Sequence, residues 1–285
     1  IVKGFDVGAV DYISKPFKEQ ELLVRLKHHL ELLTTKKELE ILNASLQEKN
    51  DTLMQSILYA EKLQEAMLPE AKSLSSYFSQ FFIFFKPLQH LSGDFYWAKH
   101  TEDKLLFVLG DSMGHGVPGS LLSMLGISAL NDITESNQNL SPAQILTQLR
   151  EREKKTTGSY SGIMRDSIDM SICMFDLTDK SVTFAGANLP IAIKTFNKSL
   201  KIDTAESIIK KHNYNNQTLL QINGTKNTIG LNLQEIAFKD TKISLNPKDI
   251  VYLYSDGFQD QFGGVKGKKY MKTNFLKLLL KTSSE

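Results

Sequence analysis

Hydrophobic positions change period along this chain, and the changes divide it. From about Glu31 to Leu68 there is no Gly or Pro, and Leu32, Leu39, Leu46, Leu53, Ala60 and Met67 recur every seven residues among mixed charges. A repeat of that period predicts a long helix with a coiled-coil seam. With the leucines at d, the a positions hold Lys36, Asn43, Asn50, Ile57 and Gln64. Asn at a sets register and favours two parallel strands while lowering stability, so a weak parallel homodimer is expected. A single solvated helix is the alternative. Pro69 ends the run, since its ring cannot continue a helix.

Downstream, the apolar runs 81–85, 105–109, 170–175, 181–185 and 250–254 predict strands, several apolar enough to be covered on both faces. Residues 118–133 and 141–154 predict helices, the second with Ser141 as N-cap and Pro142 in the first turn. A further helix is expected over 275–281. Residues 195–230 are polar and rich in Asn and Lys, which predicts loops and a short hairpin. Together 71–285 read as one α/β domain. Upstream, GFDVGAVDYISKPFKEQELLVRL predicts a Gly-punctuated helix end, a short strand over 11–14, and a helix carrying Leu22, Leu23, Leu26 and Leu30. No internal repeat is present.

Composition narrows the classes. The 285 residues, 41% of them hydrophobic, suffice for one large domain and part of another. A net charge of +2 gives no pointer to nucleic acid. No stretch reaches the roughly 20 apolar residues of a membrane span, and no secretory leader is present. Cys173, the single cysteine, lies in an apolar run and reads as a buried thiol in a reducing compartment. The expectation is a soluble cytoplasmic protein. Because the chain opens on Ile1 within an ongoing pattern, a fragment is expected.

The chemistry is carried by short acidic motifs: SGDFYW at 92–97, GDSMGHGVPG at 110–119, RDSIDMS at 165–171 and YSDGFQD at 254–260. In three of them an Asp adjoins a Gly at the end of an apolar run. Hard cations take oxygen ligands, and glycine lets backbone carbonyls and water approach. Asp94, Asp111 and Asp256 are therefore candidate ligands, although a lone Asp beside Gly is more often a turn former. Gly114, Gly116 and Gly119 imitate a phosphate cradle, but GHGVPGS lacks the lysine of a Walker loop, which excludes that class of ATPase. His115 could contact phosphate or serve the loop. Asp166 and Asp169 could support the site from behind its ligands. Asp260 could bind metal water, Arg165 reads as a solvated charge, and Asn188 as a turn.

Two resemblances follow. The ordered motifs GDFYW, GDSMGHGVPGSLLSMLG, DSIDMSICMFD, FAGANLPI and YLYSDGFQDQFGG, with QEAMLP before them, resemble the SpoIIE family of PPM-type serine phosphatases over about residues 60–285. That likeness implies a β-sandwich flanked by helices and two Mn²⁺ or Mg²⁺ ions that deprotonate a water for in-line attack on phosphoserine or phosphothreonine. Carried over, Asp111 would bridge both ions and Ser112 would offer its backbone carbonyl where the family often has Gly. Asp94 would hold the second ion and Asp256 the first. A further Asp, from an Asp-Asp-x-Thr type motif, normally completes such sites. The chain stops at Glu285 before one, so a C-terminal truncation is expected. The family often acts on anti-sigma-factor antagonists.

Residues 1–33 resemble the end of a response-regulator receiver domain, whose signature is GAxDYIxKPF. By that likeness Lys15 would contact a phosphoryl group as a point charge, Pro16 would follow in a cis peptide, and an upstream histidine kinase would be a partner. The expected plan is a receiver remnant (1–33), a coiled-coil linker (34–70) and a truncated phosphatase domain (71–285). The main functional expectation is a metal-dependent serine/threonine protein phosphatase in two-component signalling, gated through a dimeric helix. The rival is a catalytically inactive module that binds a phosphoprotein.

Overall fold

The structure, a computed structural model, describes residues 5, 6, 8–16, 18–101, 103–157, 167–196, 200–203, 209–214, 217–230, 234–265 and 267–282. They fall into two compact units, 1–56 and 57–285. Helix α1 runs unbroken from Glu19 to Met67. It ends two residues before Pro69, as the ring's geometry requires.

In the first unit the seam leucines stand open in the single chain, Leu46 at 56% and Leu53 at 64% exposure. Among the described residues this unit contains no sheet, and the strand expected over 11–14 is absent. Here no neighbouring strand offers a ladder. Asp11 instead accepts both Arg25 Nη1 contacts, at 2.9 and 2.8 Å, and the Tyr12 N–H. Among its described residues the unit is thus helix-led. Lys15 and Pro16 are joined by a cis peptide bond.

The second unit contains the short helix α2 (Ala71–Leu74), α3 (Gly116–Ser136), α4 (Pro142–Thr157) and α5 (Lys272–Lys281). Its strands are β1 (Asp94–Thr101), β2 (Lys104–Ser112), β3 (Ser167–Asp176), β4 (Ser181–Ala187), β5 (Ile191–Thr195), β6 (Lys201–Asp203), β7 (Ile209–Tyr214) and β8 (Gln217–Ile222). They continue with β9 (Ile229–Gly230), β10 (Thr241–Ser244), β11 (Ile250–Leu253), β12 (Phe262–Gly263) and β13 (Lys268–Lys269). Among the described residues one sheet runs β1-β2-β3-β4-β10-β6 with β9 on β3, and a second runs β11-β5-β8-β7.

Burial explains the layering. Phe95, Trp97, Leu106, Val108 and Ile172 on one face of the first sheet pack with Ile127 and Leu130 of α3 and Ile145 and Leu146 of α4. The opposite face sends Leu105, Cys173, Phe175, Val182 and Phe184 against Ile191, Ile193 and Ile222 of the second sheet. That sheet's outer face, through Ala192, Leu219 and Tyr252, takes Phe275, Leu276, Leu279 and Leu280 of α5. The result is a helix–sheet–sheet–helix sandwich, as the first resemblance implied. Cys173 is fully buried, and burial holds its thiol protonated.

Two further expectations fail, both in the second unit. Residues 81–85 form no strand. They keep the strand's alternation, Phe81 and Ile83 packing inward while Phe82 and Phe84 face out at 74% and 68% exposure, but no ladder pairs them. Residues 195–230, expected as loops with one hairpin, hold β6, β7, β8 and β9. Within β8 the sandwich buries Leu219, Leu220, Gln221 and Ile222 in succession, so two polar residues at its start hid an apolar strand. Among the described residues, no helix is long and apolar enough to cross a membrane.

Candidate metal centre

Three aspartates stand in a row across neighbouring strands. Antiparallel register sets Asp94 of β1 opposite Asp111 of β2, and Asp111 opposite Asp169 of β3. Directly opposed residues share a face, and like charges there repel. Asp94 and Asp111 lie close enough to share a hydrogen bond, and Asp111 is pushed up to about 8 by burial, then by the charges of Asp94 and Asp256. Asp256, in the bend after β11, is raised by burial and by Asp260 and Asp94. One proton shared among these carboxyls at neutral pH belongs to the group rather than to a single residue.

The backbone around the row is compressed. A Cβ on Gly93 would fall 2.7 Å from the Gly114 carbonyl oxygen and 2.9 Å from that of Ser112, and one on Gly119 2.6 Å from Gly114 O. Only glycine permits these three segments to touch. Gly114 (φ 94°) and Gly116 (φ 64°) also adopt left-handed backbone, which turns β2 into α3. Gly93 O accepts the Ser112 N–H at 3.2 Å, and Met113 N–H donates to Ser167 O at 2.9 Å. Ser112 is buried and its hydroxyl finds no hydrogen-bond partner.

Two supporting side chains have no place among the ligand candidates read from sequence. Ser255 Oγ donates to Asp94 Oδ2 at 2.7 Å, tying the Asp256 bend to β1. Its position beside Asp256 in YSDG was the available signal. Asn188 occupies a left-handed turn (φ 59°), as expected, and its Nδ2 also donates to Asp169 Oδ1 at 2.9 Å.

The remaining candidates are placed as follows. Asp260 N–H bonds to Asp256 O at 3.0 Å, while its carboxylate pairs with Lys269 at 2.8 Å. His115 is the exposed N-cap residue of α3 and makes no side-chain cap bond. Lys15, exposed, belongs to the first unit. Arg165 and Asp166 lie outside the described residues.

Among the described residues, no three His, Cys, Asp or Glu side chains converge as a finished cage for one ion. The donor set nonetheless suits a hard divalent cation: clustered carboxylates that repel one another and carbonyls held by glycine contacts. Mg²⁺-like ions characteristically keep several waters and take only one or two carboxylates.

Comparison with known proteins identifies the family and the fold. The family model for Stage II sporulation protein E (SpoIIE) matches residues 101–285, more than half of the chain. The SiaA-PP2C domain of Pseudomonas aeruginosa is similar at 25% identity with a TM-score of 0.65, covering 81% of this chain and 82% of that one. The PP2C phosphatase domain, with a fragment of the regulatory domain, of SpoIIE from Bacillus subtilis is 18% identical with a TM-score of 0.48, covering 68% and 49%. No curated protein matches the chain.

Proposed function

Since the chain belongs to the SpoIIE family, whose phosphatase domains are of the metal-dependent PP2C type, we propose that it hydrolyses phosphoserine or phosphothreonine on a partner protein. The observation that supports this reading is the opposed row Asp94, Asp111, Asp169, with Asp256 close enough to raise Asp111 further. Such repulsion is relieved when cations occupy the site. Asp94, Asp111, Asp256 and the Ser112 carbonyl would hold two ions, Mn²⁺ or Mg²⁺.

When bound, the ions supply Lewis acidity toward a water and charge neutralisation toward the phosphoryl group. The chain's own residues orient and release protons. Asp111 gives up the proton it shares with Asp94. Ser255 holds one Asp94 oxygen so that the other stays directed at the site. Asn188 does the same for Asp169. The glycine contacts keep the start of α3 against the row.

In the wider reading, residues 1–33 are the end of a receiver domain with Lys15 as its phosphoryl contact, a histidine kinase acts upstream, and α1 dimerises to convey receiver state. The anti-sigma-factor antagonist class is the substrate the family suggests. The test is hydrolysis of an aryl phosphate and of a phosphoserine protein with and without Mn²⁺. Turnover that persists in excess chelator would refute the reading. Metal-dependent phosphoprotein binding without turnover would favour the inactive module.

A further inference from the structure

Gln64 is the one residue of α1 that is buried, at 4% exposure. Its carboxamide answers a single backbone residue as a β-strand partner would: Oε1 accepts the Ser92 N–H at 3.1 Å while Nε2 donates to Ser92 O at 2.7 Å. The same Nε2 donates to Ser123 Oγ in α3, also at 2.7 Å. Ser123 passes its own proton to Ser120 O at 2.8 Å. A buried amide so fully matched is expensive to replace, because the Ser92 N–H would lose its partner and Ser92 O would keep only the longer 3.4 Å contact from Ser123 Oγ.

These partners converge on the metal centre. Ser92 leads through Gly93 to Asp94, and Gly93 is the glycine wedged between the Gly114 and Ser112 carbonyls. Ser123 lies one helical turn beyond Gly119, the other member of that contact. We propose that Gln64 is a positioning residue: it clamps the 92–94 segment and α3 to the last turns of α1 at the spacing that sets Asp94 opposite Asp111. A change in the pose of those last turns would reach the ligand row through this side chain, beside the Glu61–His90 contact at 3.1 Å and the packing of Met67 on the core. The proposal rests on the metal-site reading for its consequence, and on the hydrogen bonds alone for its geometry.

The test uses the full chain carrying Gln64→Leu, near-isosteric and apolar, and the milder Ser123→Ala. Arg150→Met serves as a stability control, since Arg150 is buried against Phe238, Asn227 and Ile236 away from the row. In chelator, amide exchange at Ser92 and Ser112 is expected to rise about tenfold or more in Gln64→Leu. The β5–β8 ladder should keep its protection. Mn²⁺ affinity by calorimetry should fall about tenfold in Gln64→Leu and several-fold in Ser123→Ala, with Arg150→Met unchanged. Wild-type exchange at Ser92 and Ser112, or an affinity loss equal to that of Arg150→Met, would overturn the inference. Should Gln64→Leu fail to fold, Ser123→Ala decides by the same readouts. A wild-type chain that binds no Mn²⁺ would defeat the proposed function, while the exchange measurement would still judge Gln64.

Discussion

Adding Mn²⁺ to the metal-free protein should expel a proton, and the amount can be worked out. With Asp111 pushed up to about 8, its carboxyl carries about 0.9 proton at pH 7 and about 0.1 at pH 9. Ligation requires the ionised form, so binding at pH 7 should release about 0.9 proton and binding at pH 9 almost none. Calorimetric titration in buffers of differing ionisation enthalpy reads this number directly, because the apparent heat varies linearly with buffer enthalpy and the slope is the proton count. Asp256, also raised, would add a fraction at lower pH. Affinity should accordingly weaken as pH falls below 8. The same shift acts on folding with a definite sign. A carboxyl whose folded value exceeds its unfolded one contributes stability below the unfolded value, and that contribution is lost as pH rises through about 8. His212, lowered by burial, acts in the opposite sense, its contribution being lost as pH falls toward its folded value. The proton count therefore isolates the site better than a melting curve does. A zero slope at pH 7, or an equal slope at pH 7 and pH 9, would refute the reasoning.

Asp111→Asn should eliminate Mn²⁺-stimulated hydrolysis while raising the urea midpoint of the metal-free protein at pH 8, because a buried repelled charge is removed; a lower midpoint would argue against repulsion in the row. Gly93→Ala should cost about 1–3 kcal/mol in urea unfolding, since its Cβ meets two backbone oxygens that cannot rotate aside. A loss under about 0.5 kcal/mol would mean the segments part easily. Leu46→Ala combined with Leu53→Ala should yield monomers by sedimentation while the 57–285 unit stays folded, and an unchanged dimer would exclude the seam as the interface.

What the sequence made legible was local. The seven-residue spacing from Leu32 to Met67 forecast an uninterrupted helix, and one is found from Glu19 to Met67. Apolar runs located β2, β3, β4 and β11 to within a few residues, because buried strands in a sandwich need continuous hydrophobic character. Residues 81–85 show where such reasoning stops: the alternation fits a strand, but pairing depends on a neighbour that the local pattern cannot supply. The aspartates were found one motif at a time. Their alignment in a row depends on the register of β1, β2 and β3, which is a long-range property. Gln64 was counted as a polar seam position, and its buried role emerges only when Ser92 and Ser123 are brought to it.

The opposed aspartates impose an order of arrival. A phosphoserine monoester carries close to two negative charges at neutral pH. Asp94, Asp111, Asp169 and Asp256 confront it with more of the same sign. If the proposed function holds, a site of this polarity would turn its substrate away until cations had reversed the field, so metal would enter first and the phosphoprotein second. Kinetics would then follow a compulsory sequence in which free Mn²⁺ concentration changes the apparent KM for substrate. The acidic row would also exclude product phosphate from any molecule that has lost its ions, protecting the empty site from unproductive occupancy.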